Sequence, residues 1–140
     1  MSINVLPDKT PFTNAHGYHF RGTGVAATIP FGTTANVDYK LTENRMIDGV
    51  HLMLSQHVWD DYVKFQVIDI DNILGYGAGT VLDEFASTWN IDPALCSQRH
   101  EKISYPAKVI KDLYIRVVYV STGGVDVKLK ANLYLHKVPA

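Results

Sequence analysis

The chain has a single cysteine, Cys96, in 140 residues, so no disulfide can form within it and a disulfide scaffold is excluded. A lone thiol suits a reducing compartment, and secretion is not expected. Long hydrophobic runs are also missing. No stretch approaches the ~18 apolar residues of a membrane span. The opening Met1-Ser2-Ile3-Asn4-Val5-Leu6-Pro7-Asp8-Lys9 has neither the basic start nor the apolar run of a secretory leader. The expectation is a soluble protein that does not enter a membrane. Nor is there an excess of one charge. With 13 Lys plus Arg against 14 Asp plus Glu, the formal charge is −1. That balance does not promise the counterion release that drives nucleic-acid binding, so nucleic acid is not an expected partner.

What is present points to β structure. A chain this long can bury about two-thirds of its unfolded surface without a metal or disulfide staple. Aromatic residues make up 11% of it, with 8 tyrosines, and Gly and Pro recur at short intervals. This is the composition of many short strands joined by tight turns.

The strongest pattern lies near the C-terminal end. Val125, Val127, Leu129, Ala131, Leu133 and Leu135 alternate with polar Asp126, Lys128, Lys130, Asn132 and His136. Side chains alternate across a strand, so this segment has one core face and one solvated face. Before it runs an apolar stretch from Leu113 to Val120, and Ser121-Thr122-Gly123-Gly124 lies between. Glycine supplies the positive φ of a tight turn, which predicts a hairpin pairing 112–121 with 125–136. Val63, Phe65 and Val67 mark a strand over about 61–70. Val37, Tyr39 and Leu41 mark another, and Val50, Leu52 and Leu54 a third. Shorter pieces at 18–21 and 25–31 are interrupted by Gly22, Gly24 and Pro30.

Residues 80–91 fit two periods. Thr80 with Asp83 resembles a helix cap, and Val81, Phe85 and Trp89 recur four apart; the same residues also share a strand face. The surrounding strands favour a strand here, because a lone helix would have to cover a whole sheet face. Residues 1–14, with Pro7 and Pro11, read as an extended arm, and 92–107 as a long loop holding one helical turn. Nothing divides 15–140, which is expected to be one domain.

Chemistry-bearing clusters are few. Asp69, Asp71 and Asn72 offer hard oxygen ligands of the kind calcium takes, with Asp60 and Asp61 as further donors. The simpler reading is an Asx turn, in which these side chains satisfy local backbone donors. Gly75-Tyr76-Gly77-Ala78-Gly79-Thr80 lacks the third glycine of a dinucleotide loop, and no βαβ alternation surrounds it. His16, His19, His51, His57, His100 and His136 show no metal-ligand motif. Cys96 and His100 lie close in sequence, but no elbow motif or orienting third residue accompanies them, and no catalytic residues are expected. Trp59 and Trp89 could stack on sugars; core burial is their expected place.

The stretch from Tyr62 through Val67-Ile68-Asp69-Ile70-Asp71-Asn72-Ile73-Leu74-Gly75-Tyr76-Gly77-Ala78-Gly79, followed by Trp89, Leu113 to Tyr119 and Asn132 to Lys137, resembles small virion proteins of tailed bacteriophages. The resemblance covers roughly residues 36 to 138 and carries no catalytic residues with it. It implies a non-enzymatic β-sandwich that decorates or cements a capsid, or sits at the tail. Its partners would be the major capsid protein or another virion protein and further copies of itself, without membrane, nucleic acid or cofactor.

The expected fold is therefore all-β: an antiparallel two-sheet sandwich, jelly-roll-like, of about eight strands, with an extended N-terminal arm. The alternative function is a calcium- or carbohydrate-binding module built on Asp69, Asp71, Asn72 and the aromatic residues.

Overall fold

A computed structural model of the protein describes the backbone of residues 2–4, 8–13, 19–89 and 98–137, and the side chains of 26–87 and 108–135. The described chain forms ten strands: β1 (Ser2–Asn4), β2 (Asp8–Thr13), β3 (His19–Ile29), β4 (Thr34–Lys40), β5 (Arg45–Leu54), β6 (Tyr62–Asp69), β7 (Thr80–Trp89), β8 (Gln98–Val109), β9 (Tyr114–Val120) and β10 (Val127–Lys137). They make two five-stranded sheets. Sheet I has the order β1-β4-β9-β6-β7 and sheet II the order β2-β3-β10-β5-β8.

The pairings are nested. β3 pairs with β10, β4 with β9, β5 with β8 and β6 with β7, all antiparallel. Further pairings of β5 with β10 and β6 with β9 roll this long ribbon into two layers. That is a jelly roll, the expected architecture, and segment 80–89 is a strand within it. β1 and β2 add two strands beyond the eight. The expected arm is thus extended, and its described pieces lie as outermost strands on the two sheets, β1 parallel to β4 and β2 antiparallel to β3.

Alternation places the core between the sheets. Val37 and Tyr39 of β4, Val63, Phe65 and Val67 of β6, Ile115, Val117 and Tyr119 of β9, and Val127 to Leu135 at every second position of β10 are buried. Each such aliphatic side chain contributes roughly 1.5–3 kcal/mol by leaving water. In β5 the phase changes: Ile47 is buried, and then Val50, Leu52 and Leu54. Leu135 pairs with Ile47 and Tyr134 with Gly49, so Asp48 is the extra residue of a bulge that resets the alternation.

Three expectations need correction. The predicted hairpin does not form, because β9 belongs to sheet I and β10 to sheet II. The 121–126 segment crosses between layers, drawn there by bonds to the 55–61 loop described below. Neither Gly123 nor Gly124 has the positive φ that the hairpin reading required. Second, residues 98–107 are not loop but most of β8, the outermost strand of sheet II. An edge strand pairs on one side only, so it tolerates the polar residues that hid it. Lys102 pairs with Gly49 and Ala107 with Ile47, leaving 103–106 bulged out, and Pro106 falls in that gap. Residues 90–97, including Cys96, lie outside the described residues. Third, Gly22 and Gly24 do not interrupt β3, where they pair with Tyr134 and Asn132.

β7 is also less regular than a shared face for Val81, Phe85 and Trp89 supposes. Register shifts make Leu82 and Phe85 extra residues opposite β6. Phe85 turns onto Phe65, with ring centroids 6.1 Å apart, while Val81 stays half exposed. Such bulges twist an edge strand away from pairing with another chain.

Candidate binding surfaces

The loops of a jelly roll collect at its two ends. At one end the last residue of β6, Asp69, and the β6–β7 loop, with Asp71 and Asn72, carry the three candidate ligands. Asp69 is fully buried, and its two carboxylate oxygens accept hydrogen bonds from the backbone N–H groups of Ile73 and Leu74, each at 2.9 Å. Asn72, held at φ +58°, accepts from Gly77 N–H at 2.8 Å. Asp71 points elsewhere, accepting from the Tyr114 hydroxyl at 3.1 Å and lying 3.5 Å from Lys40 Nζ. Burial and the Asp71 carboxylate hold the Tyr114 phenol above its ordinary pKa. The structure therefore brings Asp69 and Asn72 into one turn network and directs Asp71 away from it. Among the described residues, no three His, Cys, Asp or Glu side chains are gathered as an ion site. Gly75, Gly77 and Gly79 all have positive φ, so the glycine run shapes this turn. Ile73, Leu74 and Tyr76 are exposed on it.

Asp60 and Asp61 lie at the opposite end, in the β5–β6 loop. Asp60 is exposed, whereas Asp61 is only 3% exposed and acts as a knot. It accepts from the Tyr119 hydroxyl at 2.6 Å, Thr122 N–H at 2.7 Å, Thr122 Oγ1–H at 2.9 Å and Val58 N–H at 3.3 Å. Burial alone would raise the Asp61 carboxyl pKa; the bond from Tyr119, then those from Thr122 and Val58, outweigh it and hold it below its ordinary value. Conversely, burial and the neighbouring carboxylate push the Tyr119 phenol well up.

This knot joins the 55–61 loop to the 121–126 connection. A Cβ on Gly123 would lie 3.0 Å from Val58 Cγ1, so the two loops touch where glycine allows it. The β3–β4 turn is tied to the same connection: Phe31 N–H donates to Asp126 Oδ1 at 3.0 Å, Gly32 N–H to Ser121 Oγ at 3.3 Å, and Ser121 N–H to Thr33 O at 2.9 Å. Three loops thus form one bonded unit.

On that unit sit Phe31 (59% exposed), Val125 (54%), Trp59 (51%) and Val58 (37%). The expected burial of Trp59 is corrected by this placement; the Trp89 side chain lies outside the described residues. The alternation that put Val125 on the core face of the C-terminal strand, and Phe31 in the 25–31 piece, is corrected here: β10 begins at Val127 and β3 ends at Ile29, so none of the four lies on a strand and no sheet face buries it. A signal was available. Each bulky apolar residue stands in turn composition, in Pro30-Phe31-Gly32, Val58-Trp59-Asp60-Asp61 and Gly123-Gly124-Val125-Asp126, where no regular face can bury it.

Two of the histidines are neighbours in register, His51 of β5 standing opposite His100 of β8. His51 Nδ1 lies 3.2 Å from Asn132 Nδ2 on sheet II, and His57 is buried with neither ring nitrogen partnered among the described residues. His19, His100 and His136 are strand positions on β3, β8 and β10, and His16 lies outside the described residues.

No family model and no curated protein matches this chain. Among solved structures, it is similar to Aeromonas hydrophila PliG, a periplasmic lysozyme inhibitor of g-type lysozyme, over 96% of this chain and 95% of that one. The identity is 9% and the TM-score 0.40, too loose a likeness to assign this chain anything.

Proposed function

We propose that the protein is a non-enzymatic structural component of a phage virion, a jelly-roll domain that decorates or cements the capsid shell. The observation that carries this reading is the apolar set of Phe31, Val58, Trp59 and Val125, held bare on loops bonded to one another. Bulky apolar side chains left exposed on neighbouring loops are candidates for a protein interaction surface. Loops that are already tied lose little conformational freedom on docking, so more of the contact energy survives as affinity. Jelly rolls serve viral capsids among other roles, which is support by fold analogy only.

In this reading the partner is the major capsid protein or another virion protein. A shell repeats one surface many times, so a modest contact gains strength by repetition, and copies of this chain stand beside each other. No cofactor, membrane or nucleic acid takes part. The test is quantitative mass spectrometry of purified particles, with cosedimentation of purified protein and empty shells. The chain should occur at a fixed ratio to the major shell protein, and Trp59→Glu should abolish cosedimentation without lowering Tm. Particles that lack the chain, or shells that bind Trp59→Glu equally well, overturn the proposal.

A further inference from the structure

β3 runs from His19 to Ile29, but β2 pairs with it only from His19 to Gly24. Over residues 25–29, β3 has β10 on one side and, among the described residues, no strand on the other. Such an edge presents backbone N–H and C=O groups that can pair with another extended chain. Beside it stand Lys128 and Lys130 of β10, both exposed and in no ion pair among the described residues. Directly across the ladder from them are Thr28 and Ala26. Both are small, so the long lysine stems have room to lean over β3 toward the side left unpaired among the described residues. With Met53 on β5 and Ser55 just beyond its end, these residues line an open depression of about 520 Å³ on sheet II.

We propose that the 25–29 edge of β3, together with Lys128 and Lys130, is a strand-addition site for an extended acidic protein segment. The backbone edge asks for a polypeptide, since only another chain returns the alternating donors and acceptors of a ladder. The two lysines choose its charge. They lie two residues apart on one strand face, a repeat of roughly 6.6 Å. An added strand with carboxylates at alternate positions has the same repeat and sets one acid toward each ammonium. The site adjoins the loop surface but uses none of its four apolar residues, and it does not depend on the virion reading.

A fluorescein-labelled Thr-Glu-Val-Glu-Val-Glu-Thr peptide and its Gln-for-Glu counterpart provide the probes, read by fluorescence anisotropy on the full chain. The acidic peptide should bind at least tenfold tighter than the neutral one. Lys128→Glu with Lys130→Glu should erase that preference, as should the milder Lys128→Gln with Lys130→Gln if the first pair misfolds. Hydrogen exchange of the 25–29 amides should slow at least tenfold in the complex, while Trp59→Glu should leave peptide binding unchanged. A preference that survives in the lysine variants overturns the proposal. So does binding that leaves the 25–29 amides unprotected, which would be charge attraction without an added strand.

Discussion

Removing the Asp61 carboxylate should unpick both the core and the loop end. Asp61→Ala strands the hydroxyl of Tyr119, a fully buried residue, and removes the acceptor for both Thr122 donors and for Val58 N–H. An unsatisfied buried donor costs about 1–3 kcal/mol and the lost bonds to a charged acceptor about 1.5–3 more, so the total is roughly 3–5 kcal/mol. For a domain of this size that corresponds to a Tm lower by about 10–20 °C in calorimetry at pH 7. Tyr119→Phe removes the stranded hydroxyl, so the double variant should lose about 1–2 kcal/mol less than the sum of the single ones. The acid limb supplies a second check. Because the folded Asp61 pKa is depressed, its contribution is complete above the unfolded value of about 3.9 and is lost as pH falls through the folded value. The gap between wild type and Asp61→Ala should therefore narrow below about pH 4. An Asp61→Ala protein within about 1 kcal/mol of wild type at pH 7 would refute the clamp, since a single unmet buried donor already costs that much.

Asp69→Ala should cost about 2–4 kcal/mol in urea unfolding, as two backbone donors lose a charged, buried acceptor. Millimolar calcium should leave the wild-type Tm within about 1 °C of its value in EDTA, because a bound ligand at a hundred times its Kd would add about 2.7 kcal/mol. Arg116 meets Asp38 through two bonds of 2.7 and 3.0 Å across the β4–β9 ladder. Arg116→Ala should destabilise by about 2–3 kcal/mol in the same assay, with Asp38→Asn recovering part of the loss in the double variant. The raised Tyr119 pKa has the opposite sign to Asp61. Its contribution is complete below the unfolded value of about 10 and is lost as pH rises beyond it, at up to about 1.4 kcal/mol per pH unit. Tyr119→Phe should flatten the alkaline limb by that one group's share, while Tyr114 and Tyr134, also raised, keep theirs.

The jelly roll was legible where one strand face is wholly buried. Val127 to Leu135 and Val63 to Val67 alternate in sequence because they alternate between core and solvent. What misled was adjacency. Ser121-Thr122-Gly123-Gly124 has the residues of a hairpin turn, but the bonds that decide its path come from Asp61, some sixty positions earlier, and local composition carries no trace of them. β8 was lost for a related reason: at an edge, with one neighbour and a bulge at Pro106, it has no need of apolar alternation. The candidate site divides the same way. Asp69 and Asn72 were recognisable as turn-makers because their partners are local, whereas the apolar loop end exists only once three distant loops are joined.

The nesting of the strand pairs also sets the order in which the protein can be made. β10, the last of the described strands, is not at an edge but lies between β3 and β5, with Leu133 beside Thr23 on one side and Val50 on the other. Until it leaves the ribosome, sheet II is split down its middle and the two remaining parts have no ladder between them. Folding must then wait for contacts between the two ends of the chain, a topology whose loop-closure cost makes for slow, late condensation. A nascent chain stalled before residue 127 would thus hold its apolar faces open, the kind of partly folded state that is prone to aggregate.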